Sequence, residues 1–73
     1  MAGINENVTY RSVVFHIQTE DMGPEMGMVV STVFYSGMVI AKRQTSEKID
    51  IKDYHEQTKR LLLSGAFDER ARQ

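Results

Sequence analysis

The chain has 73 residues, no cysteine, and a formal net charge of −1 from nine basic and ten acidic side chains. That length allows one small domain, and the missing thiols exclude disulfides, cysteine zinc sites, thiol catalysis and iron–sulfur clusters. With 41% hydrophobic and 26% charged residues the chain is too apolar to be disordered, and it lacks the basic excess of a dedicated nucleic-acid domain.

Residues 1–7 are polar and are expected to be loose, as are residues 69–73. The start, MAGINENVTY, has neither a basic head nor an apolar run, so no secretory leader is expected. From Val8 to Glu20, β-branched and aromatic residues accumulate and read as one strand. Strict alternation puts Val13, Phe15, Ile17 and Thr19 on one face and Tyr10, Ser12, Val14, His16, Gln18 and Glu20 on the other. Two glycines and the only proline make residues 20–27 a loop. Met28 to Tyr35 is a second strand and Met38 to Arg43 a third. Ser36 and Gly37 form the hairpin turn, with Gly37 free to take positive φ. That turn sets Tyr35 opposite Met38, Phe34 opposite Val39 and Val33 opposite Ile40.

After Thr45 the period changes. Asp50 caps a helix whose stripe is Ile51, Tyr54, Thr58, Leu61 and Leu62, and Ser64-Gly65 ends it. Phe67 can then fold back onto the last turn. The predicted fold is α+β: a three-stranded antiparallel meander followed by one C-terminal helix, β-β-β-α, in a single domain over residues 1–73. No stretch is long and apolar enough to span a bilayer, and a cytoplasmic location is the expectation.

The second and third predicted strands are apolar on both faces, and one helix covers only one of them. Val30, Phe34, Val39 and Ala41 form one candidate interface; Val33, Tyr35, Met38 and Ile40 form the other. The sequence does not say which set the helix takes. Either way, the expected function is a small protein-interaction module that self-associates through an apolar sheet face or an edge strand, with no catalytic activity and no cofactor. Its expected partner is a second copy in a homodimer, or another protein.

Other readings are weaker. Lys42, Arg43 and Lys48 follow the third predicted strand and, with Lys52, Lys59 and Arg60 of the helix, could contact nucleic acid, but charges at a strand end also discourage edge pairing. His16, Glu20 and Asp21 could form a base or a metal site. However, residues four apart on a strand lie ~13 Å apart at a ~3.3 Å rise, too far to share a proton or an ion. A solvated strand face running into its turn is the simpler account. His55 borders the apolar stripe of the helix, where a locally bonded histidine is expected. The glycines match no phosphate loop, and no serine sits in a nucleophile elbow.

Three segments, Tyr10–Gly23 (YRSVVFHIQTEDMG), Tyr35–Ser46 (YSGMVIAKRQTS) and His55–Asp68 (HEQTKRLLLSGAFD), together resemble a small group of uncharacterised bacterial proteins. The resemblance covers about half the chain. It implies a bacterial, cytoplasmic protein and transfers no catalytic residue.

Overall fold

The structure, a computed structural model, describes residues 3–71. The fold is α+β, with one antiparallel sheet and a C-terminal helix. The sheet has four strands where the sequence suggested three: β1 (Gly3–Tyr10), β2 (Val13–Asp21), β3 (Val29–Tyr35) and β4 (Met38–Thr45), in the order β1-β2-β3-β4. Helix α1 (Ile51–Leu63) follows, then a single turn, α2 (Asp68–Ala71).

The extra strand comes from the segment expected to be loose. Residues 3–7 form the first part of β1, and residues 69–71 belong to α2; of the ends expected to be loose, residues 1–2 and 72–73 lie outside the described residues. The run from Val8 to Glu20 is broken by a two-residue turn at Arg11 and Ser12, both at positive φ (52° and 65°). Two successive left-handed residues match the right-handed twist of a hairpin, a position usually filled by Asn-Gly. The turn pairs Tyr10 with Val13, so Tyr10 lies on the same face as Phe15 and Ile17, not with Val14 and His16.

At Ser36-Gly37 the predicted turn holds, with Tyr35 opposite Met38 and Phe34 opposite Val39. The next pair differs. Val33 faces Ala41, and Ile40 is an extra residue bulged out of register. The bulge shifts the alternation of β4 by one. Ala41 therefore enters the core with Val33, whereas the sequence pattern grouped it with Val30, Phe34 and Val39.

Helix α1 lies across one face of the sheet. Val8, Phe15, Ile17, Val33, Ala41, Leu62 and Phe67 form the core, with Tyr10, Val13, Tyr35 and Ile40 packed around it. The helix begins where Asp50 accepts the Lys52 amide at 2.8 Å. It ends in paired bonds from the Gly65 amide to the Leu62 carbonyl (3.1 Å) and from the Ala66 amide to the Leu61 carbonyl (3.0 Å). Gly65 sits at φ +88°, the left-handed geometry that this termination requires. The reversal drops Phe67 into the core. Tyr54, Thr58 and Leu62 of the predicted stripe are buried; Leu61 is at its exposed margin, and His55 takes a buried place beside Tyr54. Among the described residues no helix is long and apolar enough to cross a membrane.

Candidate functional site

The face opposite α1 reads as rows running across the strands. Asn7, His16, Phe34 and Val39 make one row. Asn5, Gln18, Thr32 and Lys42 make the next, and Gly3, Glu20, Val30 and Gln44 the third. Val14, paired with Thr9, stands above the first row. Val14 is 58% exposed and Val39 57% exposed on either side of the half-buried Phe34. Among the described residues no helix or strand packs over this face. Of the two candidate interface sets, Val33, Tyr35 and Ile40 belong to the helix side, along with the exposed end residue Met38. Val30, Phe34 and Val39 lie on the open side, without Ala41.

His16 lies in the first row. Its ring centroid is 5.9 Å from that of Phe34, at an angle of 47°. Nδ1 is 2.9 Å from Asn7 Oδ1, and Nε2 is 3.3 Å from Asn5 Oδ1. Glu20 shares the face but stands two rows away, where it accepts from Gln18 Nε2. Asp21 is on the opposite face and accepts the Gly23 amide at 2.9 Å, closing its own turn. His16, Glu20 and Asp21 therefore do not converge.

The second histidine is on the other side of the sheet. His55 is 2% exposed and belongs to a chain of polar contacts absent from the sequence reading. Ser31 Oγ lies 2.8 Å from Thr19 Oγ1, which lies 2.7 Å from His55 Nδ1. His55 Nε2 lies 2.8 Å from Glu6 Oε1, and Lys59 Nζ donates to Glu6 Oε2 at 2.7 Å. A carboxylate only accepts, so Nε2 carries the proton and donates to Glu6. In the neutral ring Nδ1 then accepts from the Thr19 hydroxyl, and Thr19 accepts from Ser31. Every buried side-chain polar atom among the described residues has a partner.

Hydroxyl, imidazole and carboxylate in this order can activate a nucleophile. Here Thr19 is 0% exposed, so no substrate atom reaches its oxygen. What the chain does is fasten α1 to β1, β2 and β3. One signal for it was visible in the sequence: Thr19 falls on the apolar face of its strand, where a hydroxyl needs a buried partner. Glu6 gave no such signal, because its segment read as loose.

The Lys59 ammonium, and after it the His55 hydrogen bond, hold the Glu6 carboxyl below the ordinary glutamate range. The same contact raises Lys59. A depressed carboxylate contributes stability that is complete above its unfolded value and is lost as the pH falls through its folded value. Acid titration of thermal stability should therefore show a loss below the ordinary glutamate range that Glu6→Gln reduces. An unchanged acid limb in that variant would mean that the Glu6 contacts carry no pH-dependent stability.

The basic residues separate. Lys42 is on the open face and Lys48 is exposed in the segment before α1. Arg43 turns to the helix side, where Nη1 donates to Thr58 Oγ1 at 2.8 Å and the guanidinium lies 4.5 Å from the Tyr54 ring centroid. Alternation along β4 puts Lys42 and Arg43 on opposite faces, so the three make no common patch.

Two cavities border the sheet. A cleft of about 1100 Å³ between the β2–β3 loop and the segment before α1 is lined by Asp21, Glu47, Lys48 and Asp50, among others. Asp21 and Asp50 each accept a backbone amide through Oδ1, from Gly23 and Lys52, and among the described residues no three or more histidine, aspartate or glutamate side chains are grouped to hold a metal ion. A smaller hollow of about 160 Å³ lies between Tyr10, Phe15, Tyr35 and Asp68. The Tyr10 hydroxyl donates to Asp68 across it at 3.3 Å.

No protein-family model matches the chain, and neither a curated protein nor a solved structure is significantly similar to it. The resemblance of the three segments to uncharacterised bacterial proteins thus gives no family assignment.

Proposed function

We propose that this domain is a protein-interaction module without catalytic activity, and that it works as a homodimer through the open face of its sheet. The observation that carries the reading is the exposure of Val14 and Val39 around Phe34 on a face that no element among the described residues covers. Contiguous apolar surface of this kind marks a contact site. A domain of this length without disulfides also gains most from association.

The face suits a copy of itself. Its charges are one carboxylate, Glu20, and one ammonium, Lys42, so a second face meets no net charge of its own sign. A two-fold axis along the strands lays the row Asn7, His16, Phe34, Val39 on its counterpart in reverse order. Size sets a further condition. Four strands ~4.8 Å apart and about eight residues long at ~3.3 Å each give a face of roughly 500 Å² in plan. A standard interface takes about 800 Å² of accessible surface from each partner. The apolar row alone is too small, so the polar rows must close around it as the rim. Edge-to-edge pairing through β4 is less favoured, because its bulge and Arg43 and Lys42 blunt that edge.

The test is sedimentation equilibrium over a wide concentration range. The wild type should dimerise. Val39→Glu should remain folded and dimerise at least a hundredfold more weakly, because each dimer would bury two unpaired carboxylates at roughly 3 kcal/mol or more in total. Tyr35→Glu, on the helix side, should unfold the domain instead. A monomeric wild type, or a Val39→Glu dimer of normal strength, would refute the reading. A cytoplasmic bacterial setting is part of this proposal and is supported by the resemblance of the three segments alone.

A further inference from the structure

We infer that His16 makes this self-association pH-dependent, with the neutral ring in the dimer and the charged ring in the monomer. The inference rests on the self-association reading above. His16 is the one titratable residue in the row Asn7, His16, Phe34, Val39. Both of its ring nitrogens face amide oxygens, Nδ1 at 2.9 Å from Asn7 Oδ1 and Nε2 at 3.3 Å from Asn5 Oδ1. A neutral imidazole has one N–H and can donate to only one of them. An imidazolium has two and donates to both. The neutral ring is satisfied once either asparagine amide turns to present its NH₂ group. The free face can therefore hold both forms of the ring, and the charged form fits the amides as they stand.

The dimer treats the two forms differently. Closing a second face over this row removes water from a ring already stacked beside Phe34, and an imidazolium loses far more hydration than an imidazole. The two-fold axis also brings a second imidazolium toward the first. Surrounding charge does little to offset this. β1 contributes Asn5 and Asn7, both neutral. β2 contributes the neutral Gln18, with Glu20 two rows away and bonded to Gln18. β3 contributes Phe34 and Thr32, and β4 contributes Val39 with Lys42 in the next row. Glu20 favours the charged ring and Lys42 opposes it.

Each dimer that dissociates then takes up two protons. As the pH falls from about 8 to about 5 the dissociation constant should rise, by up to about a hundredfold per pH unit. The experiment is sedimentation velocity on the wild type and on His16→Gln at about pH 8 and about pH 5, with near-ultraviolet circular dichroism to confirm that both remain folded. The expected result is a wild-type dissociation constant that rises at the lower pH and a His16→Gln dissociation constant that, whatever its value at the higher pH, is the same at both. A wild-type dimer of equal strength at both pH values would overturn the role of His16 and leave the self-association reading standing. Equal acid dissociation in His16→Gln would also overturn it. A wild type that is monomeric at both pH values would end both.

Discussion

Leu62→Ala is expected to remove about 3 kcal/mol of unfolding free energy in urea denaturation. Leu62 is 1% exposed and packs among Val8, Phe15, Ile17, Val33 and Phe67, so truncation loses both transfer energy and the contacts around the cavity it leaves. A domain of 73 residues has roughly 4–11 kcal/mol in hand at ~0.05–0.15 kcal/mol per residue, so this one change takes a large share. Leu61 provides the control. It is the same residue type one position earlier, 37% exposed, and Leu61→Ala should cost under ~1 kcal/mol. If Leu61→Ala proved the costlier change, α1 would have to be turned on the sheet by about one residue, ~100°.

The second large effect should come from His55→Phe. An aromatic ring is kept, somewhat larger than imidazole, but Glu6 loses a donor and the buried Thr19 hydroxyl loses its acceptor. Thr19 keeps its contact with Ser31 but loses one buried hydrogen bond, at about 0.5–1.5 kcal/mol, and the lost bond to a carboxylate adds about 1.5–3 kcal/mol. Thr19→Val in the same background should then cost less than it does alone, because one of the two bonds it removes is already gone. A double-mutant cycle by chemical denaturation should give a coupling of about 1 kcal/mol. Strict additivity would show that Thr19 and His55 do not depend on each other, and the polar chain would be reduced to separate contacts.

How legible these features were follows from how local their causes are. Helix α1 was readable almost to the residue, since Asp50 and Gly65 act on amides and carbonyls within a few positions of themselves. The β3–β4 turn was readable for the same reason, through Gly37. The β1–β2 turn was not, because Arg11 and Ser12 hold a backbone geometry that their side chains do not advertise. That one omission cost a strand and the true face of Tyr10. The bulge was equally silent: nothing in Met38-Val39-Ile40-Ala41 marks Ile40 as the extra residue, yet it decides that Ala41 is buried. The candidate face was legible as a pattern, since alternation separated Phe34 from Tyr35, and assigning the helix to the Tyr35 side needed the tertiary structure. The polar chain was least readable, because Glu6 meets His55 and Lys59 across 49 and 53 positions of sequence.

The order of elements along the chain has a consequence for biosynthesis. All four strands precede the helix that covers them: β4 ends at Thr45 and α1 at Leu63. At ~5–20 residues per second, those 18 residues take about one to four seconds to add. A sheet that formed before α1 docked would display Val8, Phe15, Ile17 and Val33 as well as the row that carries Phe34. For those seconds such a sheet would be apolar on both sides. It is then that chaperone capture, or premature pairing between neighbouring chains on one messenger, competes most strongly with folding.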